Sequence, residues 1–111
     1  MLVACLGGCA SGGAGSAVAY LRGDLDATLN ASFERAVRAT DLAVEQLHFE
    51  KVSEKKDGLQ AILVSRNATD KRVEIRLEKV ADNETSLKIR VGTFGDESLA
   101  VATYTQINAN L

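Results

Sequence analysis

Proline and tryptophan are missing from this sequence altogether, and histidine occurs once, at His48. Most catalytic and metal-binding arrangements are thereby starved of parts. A basic excess is missing too. Lys and Arg number 13 against 15 Asp and Glu, for a formal net charge of −2. That balance argues against nucleic acid as a partner, because no phosphate-neutralising footprint is supplied. A bilayer-spanning run is also lacking. A spanning helix wants about 20 predominantly apolar residues, whereas the apolar stretch Met1–Leu6 gives way to Gly and Ser from Gly7 through Ser16. Every charged side chain lies between Arg22 and Glu97, so the first 21 and last 14 residues are neutral.

What the neutral N-terminus does contain is two cysteines, Cys5 and Cys9, in a bed of small residues. A Cys-x3-Cys disulfide here would staple nothing. Half a zinc site would need further ligands that only His48 and carboxylates offer. Inert residues of a terminal tail are a third reading. The fourth is processing: small residues directly before a cysteine suit a signal peptidase. "LGGC" at Leu6–Cys9 resembles the lipobox of bacterial lipoproteins, in which the cysteine is acylated and becomes the mature N-terminus. "LVAC" at Leu2–Cys5 fits as well. Cys9 is preferred because more apolar sequence precedes it and a Gly/Ser stretch follows. An export signal also carries a basic n-region and none precedes Cys9, so residues 1–8 are read as the remnant of such a signal. Residues 9–17 are then the lipidated cysteine and a tether reaching roughly 15 Å. Two or three acyl chains on one cysteine would hold it firmly, since a single chain binds only marginally.

The remainder, 18–111, reads as one α+β domain. From Tyr20 to Leu29 apolar and polar residues alternate, predicting one strand with Gly23 as a bulge or close-approach point. Asn30 or Ser32 caps a helix whose apolar stripe is Phe33, Ala36, Val37, Val44 and Leu47. Thr40 fills the middle of that stripe, its hydroxyl bonding back one turn. "HFEKVSE" and "LQAILVSR" follow as strands joined at Asp57-Gly58. "RVEIRLEKV" and "SLKIRVG" alternate cleanly about the turn "ADNET", setting opposite charges face to face at about 0.2–1 kcal/mol per pair. Asp96 then caps a final helix with Leu99, Val101, Ala102 and Ile107 as its apolar surface. The expected fold is a mainly antiparallel sheet of about five strands, covered on one face by two helices, in the order β-α-β-β-β-β-α.

"GC" with its Gly/Ala-rich run, "YLRGDL", "KVSEKKDGLQA" and "IRVGTFGDE" together resemble a family of small bacterial envelope lipoproteins that form a domain of unknown function. The resemblance implies a location and a fold but transfers no catalytic residue. Ala10 follows Cys9 where an Asp would resemble an inner-membrane retention signal. The implied address is therefore the periplasmic face of the outer membrane.

Other candidates are bland beside this. Gly92 and Gly95 precede a helix start where N–H groups can bind an anion, but Asp96 fills the cap, and the segment reads as a turn with Phe94 plugged into the core. Asp24 and Asp26 share a strand face on which a divalent cation would need a third ligand. His48 reads as a helix-terminating residue. The sequons at Asn30, Asn67 and Asn83 read as turn and cap residues, and Gly8, Gly12 and Ser16 as tether. No catalytic, cofactor-binding or metal residue is assigned, and no cofactor, nucleic acid or small-molecule substrate is implied. The expectation is a non-enzymatic envelope protein held to the membrane by an N-terminal lipid on Cys9 (alternatively Cys5), with an envelope protein as partner. The competing expectation is a soluble module that binds protein through a sheet edge or face.

Overall fold

A computed structural model describes residues 18–111; Cys5, Cys9 and the tether lie outside them. Six antiparallel strands form one sheet: β1 (Val18–Leu21), β2 (Asp24–Leu29), β3 (Glu50–Lys56), β4 (Gln60–Arg66), β5 (Arg72–Ala81) and β6 (Glu84–Val91). Two helices, α1 (Phe33–Gln46) and α2 (Glu97–Ala109), complete the fold. The sheet runs β1-β2-β6-β5-β4-β3.

The single strand expected over Tyr20–Leu29 is in fact a hairpin, and this accounts for the sixth strand. Arg22 and Gly23 have φ of 56° and 87°, the paired positive values of a two-residue type I′ turn. Leu21 consequently lies opposite Asp24, and Val18 opposite Ala27. Arg-Gly carries a weaker hairpin signal than Asn-Gly, and a four-residue strand shows too little alternation to announce itself. The remaining hairpins fall where the sequence places them. Asp57 N–H donates to the Gln60 carbonyl at 2.9 Å, and its carboxylate accepts from the Leu59 and Gln60 N–H groups at 2.8 Å each.

Period-two alternation puts one face of the sheet in the core. Leu25, Leu29, Leu63, Val73, Ile75, Leu77, Leu87, Ile89 and Val91 are all essentially inaccessible. Each such side chain contributes about 1.5–3 kcal/mol relative to exposure. Both helices cover this face. Ser32 caps α1, accepting from the Arg35 N–H at 3.3 Å. Thr40 is fully buried and its hydroxyl donates to the Ala36 carbonyl at 2.8 Å. The buried stripe of α1 includes Ala39 and Ala43, small enough for close contact with α2. On α2 the buried residues are Ala100, Thr103 and Ile107 rather than the expected Val101 and Ala102, which face solvent. Ser65 is the exception in the core: among the described residues its buried hydroxyl has no partner.

Strand direction gives the sheet two distinct ends. One gathers Val18, Lys56–Gly58 and the β5–β6 turn; the other gathers the β1–β2 turn, the β4–β5 turn and the β6–α2 loop. α1 runs from the first end to the second, and α2 returns. Their packing is pinned by Arg35 Nη2 donating to the Leu111 carbonyl at 3.1 Å and Asn110 Nδ2 to the Ala39 carbonyl at 3.2 Å.

Candidate functional site

"YLRGDL" and "IRVGTFGDE", seventy residues apart in sequence, meet at the second end of the sheet. Register brings Asp24 opposite Arg90, and the Arg90 guanidinium ties the two segments together. Its Nη1 donates to Asp24 Oδ1 at 3.0 Å and to the Arg22 carbonyl at 3.1 Å, while Nη2 donates to the Thr93 carbonyl at 2.6 Å. The backbones touch at Gly23 and Gly95. A Cβ on Gly95 would stand 2.5 Å from the Gly23 Cα and against the Tyr20 hydroxyl. Gly23 is thus the close-approach point the sequence suggested, within a turn rather than a bulge.

This corner turns Phe94 outward. Far from plugging the core, its side chain is 92 % exposed, and Leu21 across the corner is 66 % exposed. The positive φ of Gly92 (70°) and Gly95 (91°) folds the loop away from the sheet and leaves the ring in solvent. An isolated aromatic in a loop has no periodicity to reveal which way it points. Arg90 was likewise invisible as a clamp, because alternation marks it only as an outward residue.

Asp24 and Asp26 do share one face, the uncovered one, but each is met by a cation: Arg90 at 3.0 Å and Lys88 at 3.8 Å. His48 stands apart at the C-terminus of α1, beside the opposite sheet edge. It occupies the left-handed position after the helix (φ 60°), where its N–H bonds to the Glu45 carbonyl and the Phe49 N–H to that of Val44. This is a Schellman motif, so His48 does terminate the helix. Among the described residues no group of three or more His, Cys, Asp or Glu converges as a metal would require. Asp96 caps α2 as expected, accepting from the Leu99 N–H at 3.1 Å and pairing with Lys71 at 2.9 Å. The hydrogen bond from Lys71, then that from Leu99, holds its carboxyl below the usual range. Asn67 organises the β4–β5 turn through bonds from the Thr69 and Lys71 N–H groups.

The uncovered face of the sheet presents a charged surface with an unexpected order. Glu74 faces Arg90 across the β5–β6 ladder, as the hairpin reading requires, but Arg76 faces Lys88. On the neighbouring ladder Arg66 faces Arg72. Glu74 reaches along its own strand to both arginines, 3.2 Å from Arg72 and 2.7 Å from Arg76. Three concavities of about 570, 230 and 290 Å³ follow one another along β5 and β6. The first and second share Glu74 and Arg90; the second and third share Arg76 and Lys88. Chemically this surface suits the recognition of charged groups.

Among the described residues no helix is long and apolar enough to cross a membrane. No curated protein matches the chain. The pattern of sequence that unites the two corner motifs with the segments before and after them is, however, a shared one: residues 1–110 match the family described as a protein of unknown function (DUF3568), and the chain belongs to that family.

Proposed function

We propose that this chain is a lipid-anchored protein of the bacterial cell envelope, acylated on Cys9 at the periplasmic face of the outer membrane. Its folded domain binds or organises envelope components rather than catalysing a reaction. The observation that carries this reading is "LGGC" followed by an uncharged Gly/Ser stretch leading directly into the first strand at Val18. The family match begins at residue 1, so this stretch belongs to the matched sequence. The polarity of the sheet suits such an arrangement. The chain enters at one end, while Phe94 and Leu21 are displayed at the other, about 20 Å away by the length of β2. A domain tethered at Val18 can hold that end away from the bilayer.

Metabolic labelling with a palmitate analogue tests the reading, in a bacterial host and with the native leader. The parent chain is expected to take up label and the Cys9→Ala variant to lose it. Label retained on Cys9→Ala but lost on Cys5→Ala would move the acylation to Cys5. No label on the parent would overturn the anchor.

A second reading, a module that binds protein through a sheet edge independently of lipid, is favoured by the contrast between the two outer strands. β3 is guarded by Glu50, Lys51, Glu54, Lys55 and Lys56 and by a bulge between Lys51 and Ser53, the usual protection against edge-to-edge pairing. β1 is Val-Ala-Tyr-Leu and carries no charge. An unlabelled parent chain would leave this reading in place of the first.

A further inference from the structure

We infer that two copies of this chain join through β1, edge to edge and antiparallel about a two-fold axis, so that their sheets become one. The pairing rests on the sheet-edge reading above and names its partner, a second copy. Among the described residues β1 and β3 are the outer strands of the sheet. Were β1 of one molecule to pair with β3 of the next, the contact would be head-to-tail and would propagate without closing. The bulge and the charges of β3 oppose that contact, and equally the pairing of β3 with itself. Pairing of β1 with β1 is the edge contact left, and it closes at two copies.

The backbone of β1 fixes the register. Leu21 and Asp24 flank a two-residue turn and are therefore a pair of the hydrogen-bonded kind. Opposite pairs alternate in kind along an antiparallel ladder. Ala19 thus turns its N–H and C=O inward to Asp26, while Val18 and Tyr20 turn theirs outward. With Ala19 of one copy opposite Ala19 of the other, each Tyr20 meets the second copy's Val18, and both pairs exchange their hydrogen bonds. All the outward backbone groups of the strand are then satisfied. Val18 and Tyr20 stand opposite Ala27 and Leu25, on the helix-covered face, so the helices of both copies lie on the same side of the joined sheet. Ala19 occupies the closer spacing at the axis, about 4.5 Å between Cα atoms, where a small side chain fits. An axis at Tyr20 would instead set Val18 against Arg22, whose φ of 56° belongs to the turn.

The side chains along this edge suit the same occupant. β1 carries no charge, so its self-pairing sets no like charges against each other. Eight large hydrophobic side chains are exposed among the described residues, and Val18, Leu21, Phe94 and Val101 are four of them. These four gather along β1, at its corner and on the flank of α2 beside it. The other four are scattered over α1, β3, the β3–β4 turn and β5. Val101 is placed by helix geometry. Gln106 and Asn110 mark the flank of α2 that meets Gln46 and Ala39 of α1. At about 3.6 residues per turn, Val101 and Tyr104 fall on the other flank, and α2 packs over β2 and β6, so that flank borders β1.

Sedimentation equilibrium of the full chain tests this between about 10 μM and about 1 mM, the span of weak association. The mass is expected to rise from the 11.8 kDa of one chain toward twice that and no further. Ala19→Glu sets two carboxylates against each other at the axis, and Ala19→Lys two ammonium groups. Each variant is expected to weaken self-association at least tenfold. An equimolar mixture of the two is expected to restore it, which also shows that both fold. Val52→Glu on β3 is expected to change nothing. A mass beyond two chains, a dimer retained by Ala19→Glu, or no recovery in the mixture would overturn the two-fold contact. So would a single chain at every concentration, and a fluorescein-labelled strand peptide of alternating Thr and Val then decides the fate of the edge itself. Val18→Pro removes an outward N–H and none that β2 uses. Peptide binding that Val18→Pro abolishes would keep the sheet-edge reading with a different partner; no peptide binding would overturn that reading as well.

Discussion

A methyl group on residue 95 has nowhere to go. It would meet the Gly23 Cα at 2.5 Å and the Gly23 carbonyl oxygen at 2.9 Å, and the φ of 91° is one that L residues avoid. Gly92 has a similar φ of 70°, but nothing lies within 4 Å of the same added atom. The pair separates two costs that usually arrive together. Gly92→Ala pays for the backbone alone, about 1 kcal/mol. Gly95→Ala must also part the two motifs and is expected to cost about 3 kcal/mol or more, read as the shift in urea midpoint at constant slope. Equal shifts would mean that the Gly23–Gly95 contact is not tight. Such contacts are where the sequence falls silent. Thr40, Ser32 and Asp96 are legible because their partners lie within one helical turn. Arg90, Gly95 and Phe94 are not, because their partners, or their exposure, are set by a segment seventy residues away.

At the level of elements, local chemistry is a dependable guide to where structure starts and stops. Both helix caps and the Asp57 turn lie where side-chain oxygens can serve nearby N–H groups. Two of these carboxylates also tie stability to acid. Asp96 is held below its ordinary range by Lys71 and Leu99, and Asp57 by the N–H groups of Leu59 and then Gln60. A carboxyl depressed in the folded state stabilises the protein above its unfolded value, near 3.9. That contribution is lost as the pH falls through the folded value. Asparagine still caps a helix but does not titrate. Asp96→Asn is therefore expected to have a lower midpoint than the parent at pH 7, from the lost Lys71 pair, and a shallower decline as the pH falls below about 4. Urea denaturation across that range checks it; parallel acid limbs would show that Asp96 is not among the titrating groups. α2 itself was the less legible helix. Its buried stripe is narrow, Ala100, Thr103 and Ile107, and only contact with α1 and the sheet decides that Val101 stays in water.

Across the whole molecule, alternation and turn residues were enough to announce an antiparallel sheet with helices on one face. They could not announce its order. β3 to β6 are neighbours in sequence and in space, but the pairing of β2 with β6 joins residues such as Leu25 and Ile89, a contact between distant segments that no local pattern encodes. It exists because α1 carries the chain from β2 to the far edge, so that the returning meander ends beside β2. The buried core of the described residues begins at Leu25 and is filled from both ends of this circuit. β1 adds an outer strand whose Val18 and Leu21 remain largely in solvent. On that ground residues 18–111 are expected to fold by themselves. Removal of residues 1–17 is expected to leave a single cooperative urea transition with its slope unchanged, the slope reporting the surface exposed on unfolding. Its midpoint should move by no more than a surface substitution would, about 0.5 kcal/mol. A smaller slope or a broadened transition would mean that the N-terminal segment contributes to the core, and the domain boundary at Val18 would have to move toward the cysteines.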